Sequence, residues 1–337
     1  MWRPTRRSLK AIGASAVAVA ALAMTPQPGH AAPAHGYQVF TGISGTWAPP
    51  EGVTSATAYV WTSGGGGGGG GGAGGGGGGE GWKASPTTHG HLGGKGARGA
   101  SGSGGAGGGA GSLFSCHIRR LGTYEFLRIV NGEGGGGGSQ GRGGSGGRSG
   151  HDFFGGDGSA GTRGTPAPFA HQGGQSRISV MSILRSYSFP YTWANGGTGG
   201  GGGLAGEGGK GGSETNRTPA GAVPAGAQGR VGRPHLETRG CRLLQAGTTG
   251  RPGQGGTFYG GLPGAGGTLT AGITLPGGAR YVPPAGTSSG GNGGQGGFPG
   301  AGGAGGVDLG TGSKSGQHGQ DGVPGSPGRP GVTVITW

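Results

Sequence analysis

The sequence predicts a mainly β protein with no helix beyond its N-terminal segment, in which a small strand framework carries extended, polyproline-like glycine tracts. Three observations lead there. Glycine supplies 104 of 337 residues. Short islands of β-branched and aromatic residues interrupt it, and no later segment carries the 3.6-residue apolar period of an amphipathic helix. Hydrophobic residues make up only 29% of the chain and charged residues 11%, so this is not the composition of an ordinary globular domain. Fixing a backbone costs roughly 1 to 2 kcal/mol per residue, glycine most of all, and side-chain burial on this scale cannot offset it. The glycines are therefore either disordered or hydrogen-bonded to one another in a regular array.

The first residues give an address. Arg3, Arg6, Arg7 and Lys10 precede the apolar run Ala11 to Met24, and small residues follow. That order is a secretory signal peptide, too short and too weakly apolar to span a membrane. Residues 1–31 form the segment if cleavage follows Ala31; cleavage after Ala34 also fits. The Arg6–Arg7 pair is compatible with twin-arginine export as well as with the ordinary Sec route. No second apolar stretch is long enough to span a bilayer, so no membrane span is expected. The formal charge of +14 loses the four N-terminal cations on cleavage, leaving +10. That charge favours anionic polymers and polysaccharides of a cell surface.

Residues 36–337 read as a single glycine-rich domain with β-islands at 37–62, 113–130, 177–193, 268–275 and 332–337. In "VTSATAYVWT" (Val53 to Thr62), Val53, Tyr59 and Trp61 are expected on one face, Ala56, Ala58 and Val60 on the other. Between the islands lie glycine tracts at 64–79, 132–150, 196–212 and 286–306. Each rejoins an island at both ends, which is not how a linker between two domains behaves. A threefold register runs from Gly316 to Gly331, with Pro324, Pro327 and Pro330 fixing the extended dihedral. An extended threefold helix has no internal hydrogen bonds, so its amides must pair with neighbouring tracts, and only glycine lets backbones approach from every side. Loops are expected at Lys83 to Gly99 and Thr215 to Arg251.

Cys116 and Cys241 are the two cysteines; in an exported chain they form one disulfide or remain two thiols. There is no CxxC for a zinc cluster and no G-x4-G-K-[ST] phosphate loop. His89 and His91, or His117 beside Cys116, lack the further ligands a metal needs. His151 and Asp152 have no serine on a strained strand-to-helix turn to serve, G-x-S-x-G matches such as Gly137 to Gly141 and Gly143 to Gly147 falling inside a glycine tract. No catalytic residue, cofactor or metal is expected. The arginines expected to contact polyanions are Arg142, Arg148, Arg230, Arg233, Arg239 and Arg242. The tract "GRGGSGGRSG" (Gly141 to Gly150) resembles arginine–glycine nucleic-acid binders, a reading that the export signal weighs against.

The stretch "GTWAPPEGVTSATAYVWTSGGGGGG" (Gly45 to Gly69) resembles the opening of bacterial and phage glycine-rich domain proteins, in which a Pro-x-Gly-Val-Thr turn and an alternating strand run into polyglycine. Trp47, Pro50, Gly52, Val53 and Thr54 occupy that pattern, and Trp61 lies in its strand. Pro330 and Gly331, leading into "VTVITW" and Trp337, match the family's ending. The resemblance implies a small β-framework with packed polyglycine helices and brings no catalytic residues. The expected function is that of a secreted, non-enzymatic, structural or adhesive protein of the cell surface, with self-association open. The alternative is a largely disordered basic matrix protein that binds polyanions.

Overall fold

The architecture is that of a computed structural model, which describes residues 35–80, 95–119, 121–122, 124–150, 157–182, 188–210, 238–256, 259–304 and 313–337. The signal segment, Arg230, Arg233, His89, His91, His151 and Asp152 lie outside the described residues.

Twelve strands are present among these residues, and no helix. They are β1 (Tyr37–Phe40), β2 (Ser44–Trp47), β3 (Ser55–Trp61), β4 (Leu113–Arg119), β5 (Glu125–Val130), β6 (Ser176–Ser182), β7 (Ser188–Ala194), β8 (Thr238–Arg239), β9 (Cys241–Gln245), β10 (Ile273–Thr274), β11 (Arg280–Tyr281) and β12 (Val332–Thr336). One antiparallel sheet has the order β1-β12-β3-β4-β9, a second the order β2-β5-β6-β7-β8, and β10–β11 is a separate hairpin.

The two five-stranded sheets pack face to face. Ala56, Ala58, Val60, Cys116, Ile118 and Ile335 of the first meet Trp47, Leu127, Ile129 and Ile178 of the second in one buried cluster. The opposite face of the first sheet carries Trp61, Leu113, Val332 and Val334, covered by Ala271, Ile273 and Leu275 from around the hairpin. Burial on both faces is why β3 at Tyr59 to Trp61 and β12 at Val334 and Ile335 carry apolar residues in succession rather than in alternation. Val53 departs from the expected face. It packs with the inter-sheet cluster and not with Tyr59 and Trp61, because it precedes β3 in the turn closed by its amide on the Pro50 carbonyl at 3.0 Å. Gly52 supplies the positive φ of 82° in that turn.

The strands continue into the glycine tracts. From β3 the chain runs out along 62–80 and comes back along 95–112 into β4, the Thr62 amide bonding to Ser112. Likewise 131–150 leaves β5 and 157–175 enters β6; 195–210 leaves β7; 246–256 leaves β9 and 259–272 leads to β10; 282–304 leaves β11 and 313–331 enters β12.

Residues 64–79 lie at the centre. Gly65, Gly68, Gly71, Gly74 and Gly77 donate to carbonyls of Gly109, Ala106, Ser103, Ala100 and Ala97. The next register, Gly66, Gly72, Gly75 and Gly78, donates to His171, Thr165, Thr162 and Ser159; the third, Gly64 through Gly79, donates to Arg329, Ser326, Val323, Gln320, Gln317 and Lys314. The carbonyls of 64–79 turn to three other tracts, accepting from amides of 135–150, of 200–209 and of 291–303, again at every third residue. Three neighbours run antiparallel and accept; three run parallel and donate. They also bond around the ring, in the order 131–150, 157–175, 195–210, 95–112, 282–304, 313–331 and back to 131–150. Tracts 246–256 and 259–272 add to the side of this ring, bonding to 95–112 and, through 261–267, to 282–304.

The missing Cβ is what permits this approach. A Cβ on Gly71 would overlap the Leu204 carbonyl, and one on Gly68 the Gly201 carbonyl. Ala73, fully buried, is the one side chain within 64–79. The surrounding tracts need glycine where they face inward, as at Gly96, Gly99, Gly102, Gly105 and Gly108, or Gly158, Gly161 and Gly164, and where they meet a neighbouring tract closely, as Gly104 meets the Leu262 carbonyl and Gly143 the Gly319 carbonyl. Outward amides of the ring are closed by side chains of the adjacent tract. Arg142, Ser145 and Arg148 donate to the hydroxyls of Thr165, Thr162 and Ser159, each at 2.7 Å, and Gly143 donates to Asp321 Oδ1 at 2.7 Å. Proline fits where an amide has no neighbour. In 313–331 the amides of Gly316 to Gly331 and of Lys314 to Arg329 bond to the two flanking tracts, and Pro324, Pro327 and Pro330 occupy the remaining register.

Two expected loops are corrected. Residues 95–99 belong to a ring tract, and within Thr215 to Arg251 the described part is β8, β9 and the start of a tract. Of the island 268–275 only Ile273–Thr274 is strand, because Thr268 still pairs as tract, accepting from the Thr248 amide.

Gly71→Ala should destabilise the fold by about 1 to 3 kcal/mol or more, since the clash is with the backbone of Gly203 and Leu204 rather than with a movable side chain. Gly136→Ala, whose Cβ meets only the edge of the His171 ring at 3.4 Å, should lie within about 0.5 kcal/mol of the parent. Denaturant melts of the two variants check the contrast.

Candidate functional site

The framework residues gather at the sandwich. Trp47 is buried, with its ring centroid 5.4 Å from that of Trp337. The backbone of Trp337 exchanges both hydrogen bonds with Gly36, at 2.9 and 3.1 Å, which fastens the C-terminus beside β1. Its buried indole Nε1 finds no acceptor. Trp61 is also buried; its indole donates to the Ala271 carbonyl at 3.0 Å and its ring meets Tyr281 edge-on at 5.7 Å. Burial pushes the Tyr281 phenol above its usual value. These tryptophans are structural anchors.

Cys116 and Cys241 are joined in a disulfide across the directly paired positions of β4 and β9. Cys116 is fully buried in the inter-sheet cluster. The bond fastens the edge strand β9, which is short and otherwise exposed along Arg242 to Gln245.

The arginines expected to act together are placed apart. Arg142 and Arg148 are exposed on the ring tract 131–150, with exposed Arg163 on the adjoining tract 157–175. Arg239 is in β8, paired with Trp193 of the second sheet, and Arg242 is exposed on β9 of the first. Sequence reading passed over Arg163, which is recognisable once Gly158, Gly161 and Gly164 are seen to set a threefold register that turns position 163 outward.

A hollow of about 600 Å³ lies on the outer face of the first sheet, lined by Thr57, Tyr59, Ser115, His117, Gly240, Cys241, Arg242 and Leu244. The pairings set Thr57 opposite His117, Tyr59 opposite Ser115 and Ser115 opposite Arg242. Thr57 Oγ1 and His117 Nδ1 are 3.2 Å apart. Gly240, at φ 70°, brings no side chain to the end of the His117 row. Among the described residues there is no group of His, Cys, Asp or Glu able to hold a metal ion, and no helix long and apolar enough to cross a membrane.

No protein-family model matches the chain, and a search of the curated proteins finds no match.

Reduction of the disulfide, or Cys116→Ala with Cys241→Ala, should cost about 3 to 5 kcal/mol on the chain-entropy account of a long closed loop. Melts of oxidised and reduced protein measure the difference.

Proposed function

We propose that this is a secreted, non-enzymatic glycine-rich protein, structural or adhesive at the cell surface or in the extracellular space, built as a bundle of polyglycine II helices on a β-sandwich base. The observation that carries the reading is the enclosure of 64–79, whose amides and carbonyls turn in three registers to six surrounding tracts. Three registers per turn are the symmetry of an extended threefold helix. At about 3.1 Å per residue, sixteen residues make a rod of roughly 50 Å. Such a rod has few side chains with which to do chemistry, and its use is mechanical: it holds its surface in a fixed array.

The likeness to bacterial and phage glycine-rich domain proteins agrees with this reading in the turn at Pro50 to Val53 and in the Pro330–Gly331 entry to the last strand. The N-terminal segment supports export, by the Sec or the twin-arginine route. The partner that fits is an anionic polymer or polysaccharide. Arg142 and Arg148 are two helical turns apart, about 19 Å along the axis at that rise, with Arg163 on the next tract. A fixed array of this kind contacts an extended polyanion at several points, each attraction being screened by salt.

The mature chain should be retained on an anionic polysaccharide resin at low salt and released as salt rises. A variant with Arg142, Arg148 and Arg163 changed to Ser should elute at lower salt with an unchanged melt. Absence of retention at low salt, or retention indifferent to salt, would contradict the adhesive reading.

A further inference from the structure

We infer that the hollow on the outer face of the first sheet is a binding site for a carboxylate-bearing saccharide, a sugar of the uronic acid type. The inference rests on the adhesive reading in taking an extracellular polysaccharide as the ligand, and it names the unit recognised.

The outer face of this sheet is divided. At the end nearer the bundle, Trp61, Leu113, Val332 and Val334 are covered by residues from around β10 and β11. Tyr59 is half-buried at the border of that cluster, and beyond it the same face turns polar at Thr57, Ser115 and His117, half-buried to exposed.

The hollow follows from the residues in register. Ser115 is small and central, flanked by Tyr59 on β3 and Arg242 on β9. Gly240 leaves space at the His117 row, and Leu244 stands 45% exposed at the rim. The volume of about 600 Å³ is within the range of small-ligand sites.

The chemistry of the lining selects the ligand. An aromatic ring and a leucine offer apolar surface to the C–H face of a sugar, while the Tyr59 hydroxyl keeps that surface amphipathic. Two hydroxyls and an imidazole serve ring hydroxyls, with Thr57 engaging one nitrogen of His117 and leaving the other for a ligand. Arg242 supplies a planar guanidinium, which matches a carboxylate with two parallel hydrogen bonds. No Asp or Glu is among the lining residues, so a carboxylate meets no like charge. The disulfide lies directly beneath, since Cys241 lines the hollow and Cys116 is its partner. It holds the strand that carries Arg242 against the strand that carries Ser115 and His117.

The test is a calorimetric titration of the mature, oxidised chain with a trisaccharide of glucuronic acid and with the uncharged glucose trisaccharide, repeated with Arg242→Gln and His117→Gln. Saturable binding of the acidic sugar is expected, at least tenfold tighter than the neutral one. Arg242→Gln should remove that preference while leaving the melt unchanged, because Arg242 is exposed and outside both apolar clusters. His117→Gln should weaken both sugars. Equal binding of the acidic sugar by parent and Arg242→Gln, or no binding by a parent that melts cooperatively, would overturn the assignment. A parent retained on the anionic resin that fails this titration loses the groove and keeps the adhesive reading; loss of retention with an intact titration does the reverse.

Discussion

The structure depends on hydrogen bonds between backbones that have no side chains between them. An extended threefold chain makes no internal bonds, and an amide or carbonyl buried without a partner costs about 1 to 3 kcal/mol. A buried tract therefore has to be enclosed on every side at once or not buried at all. Three antiparallel neighbours accept from 64–79 and three parallel neighbours donate to it, which satisfies both groups of nearly every residue. Glycine is required because a Cβ on nearly any central residue would overlap a neighbouring carbonyl. The composition that makes ordering each residue costly is thus the same one that allows the tract to be satisfied from all sides.

The β-sandwich solves the problem that the bundle poses. Bringing so many tracts together carries a large loop-closure cost, and a single tract would gain nothing until its neighbours were in place. Pairing β3 with β4, β5 with β6 and β12 with β3 fixes where tracts leave and enter, so each starts in register. The apolar core is small and lies at this base, where Trp47, Trp61 and Trp337 fasten the turn, the hairpin and the C-terminus. Side chains reappear on the tracts at the perimeter, and there Thr162, Thr165, Ser159 and Asp321 cap amides that would otherwise face outward.

Much of this was legible in the sequence, unevenly. The strands β3, β4 to β7 and β12 stand out through β-branched and aromatic residues, and the tracts 64–79, 132–150 and 196–212 through sheer glycine density. Four tracts were hidden: 95–112, 157–175, 246–256 and 259–272. They carry Ala, Ser, Thr, Arg and Pro between their glycines, so density falls while a threefold glycine register remains. That register, noticed only at Gly316 to Gly331, also runs through Gly96 to Gly111, Gly158 to Gly164 and Gly247 to Gly256. The strand β9 was missed because "CRLLQ" is one short edge strand, held by pairing to β4 and by a disulfide rather than by its own pattern. The hollow was illegible for a further reason. Thr57, His117 and Arg242 meet only through the register of three strands distant in sequence.

Amide hydrogen exchange of the mature chain, resolved for residues 64–79, tests the central claim most directly. With six hydrogen-bonding neighbours, these amides should exchange only through global unfolding, as slowly as the best-protected amides of β3 and β12. Exchange within seconds, while the sandwich strands remain protected, would contradict the account and leave a β-sandwich trailing unstructured glycine.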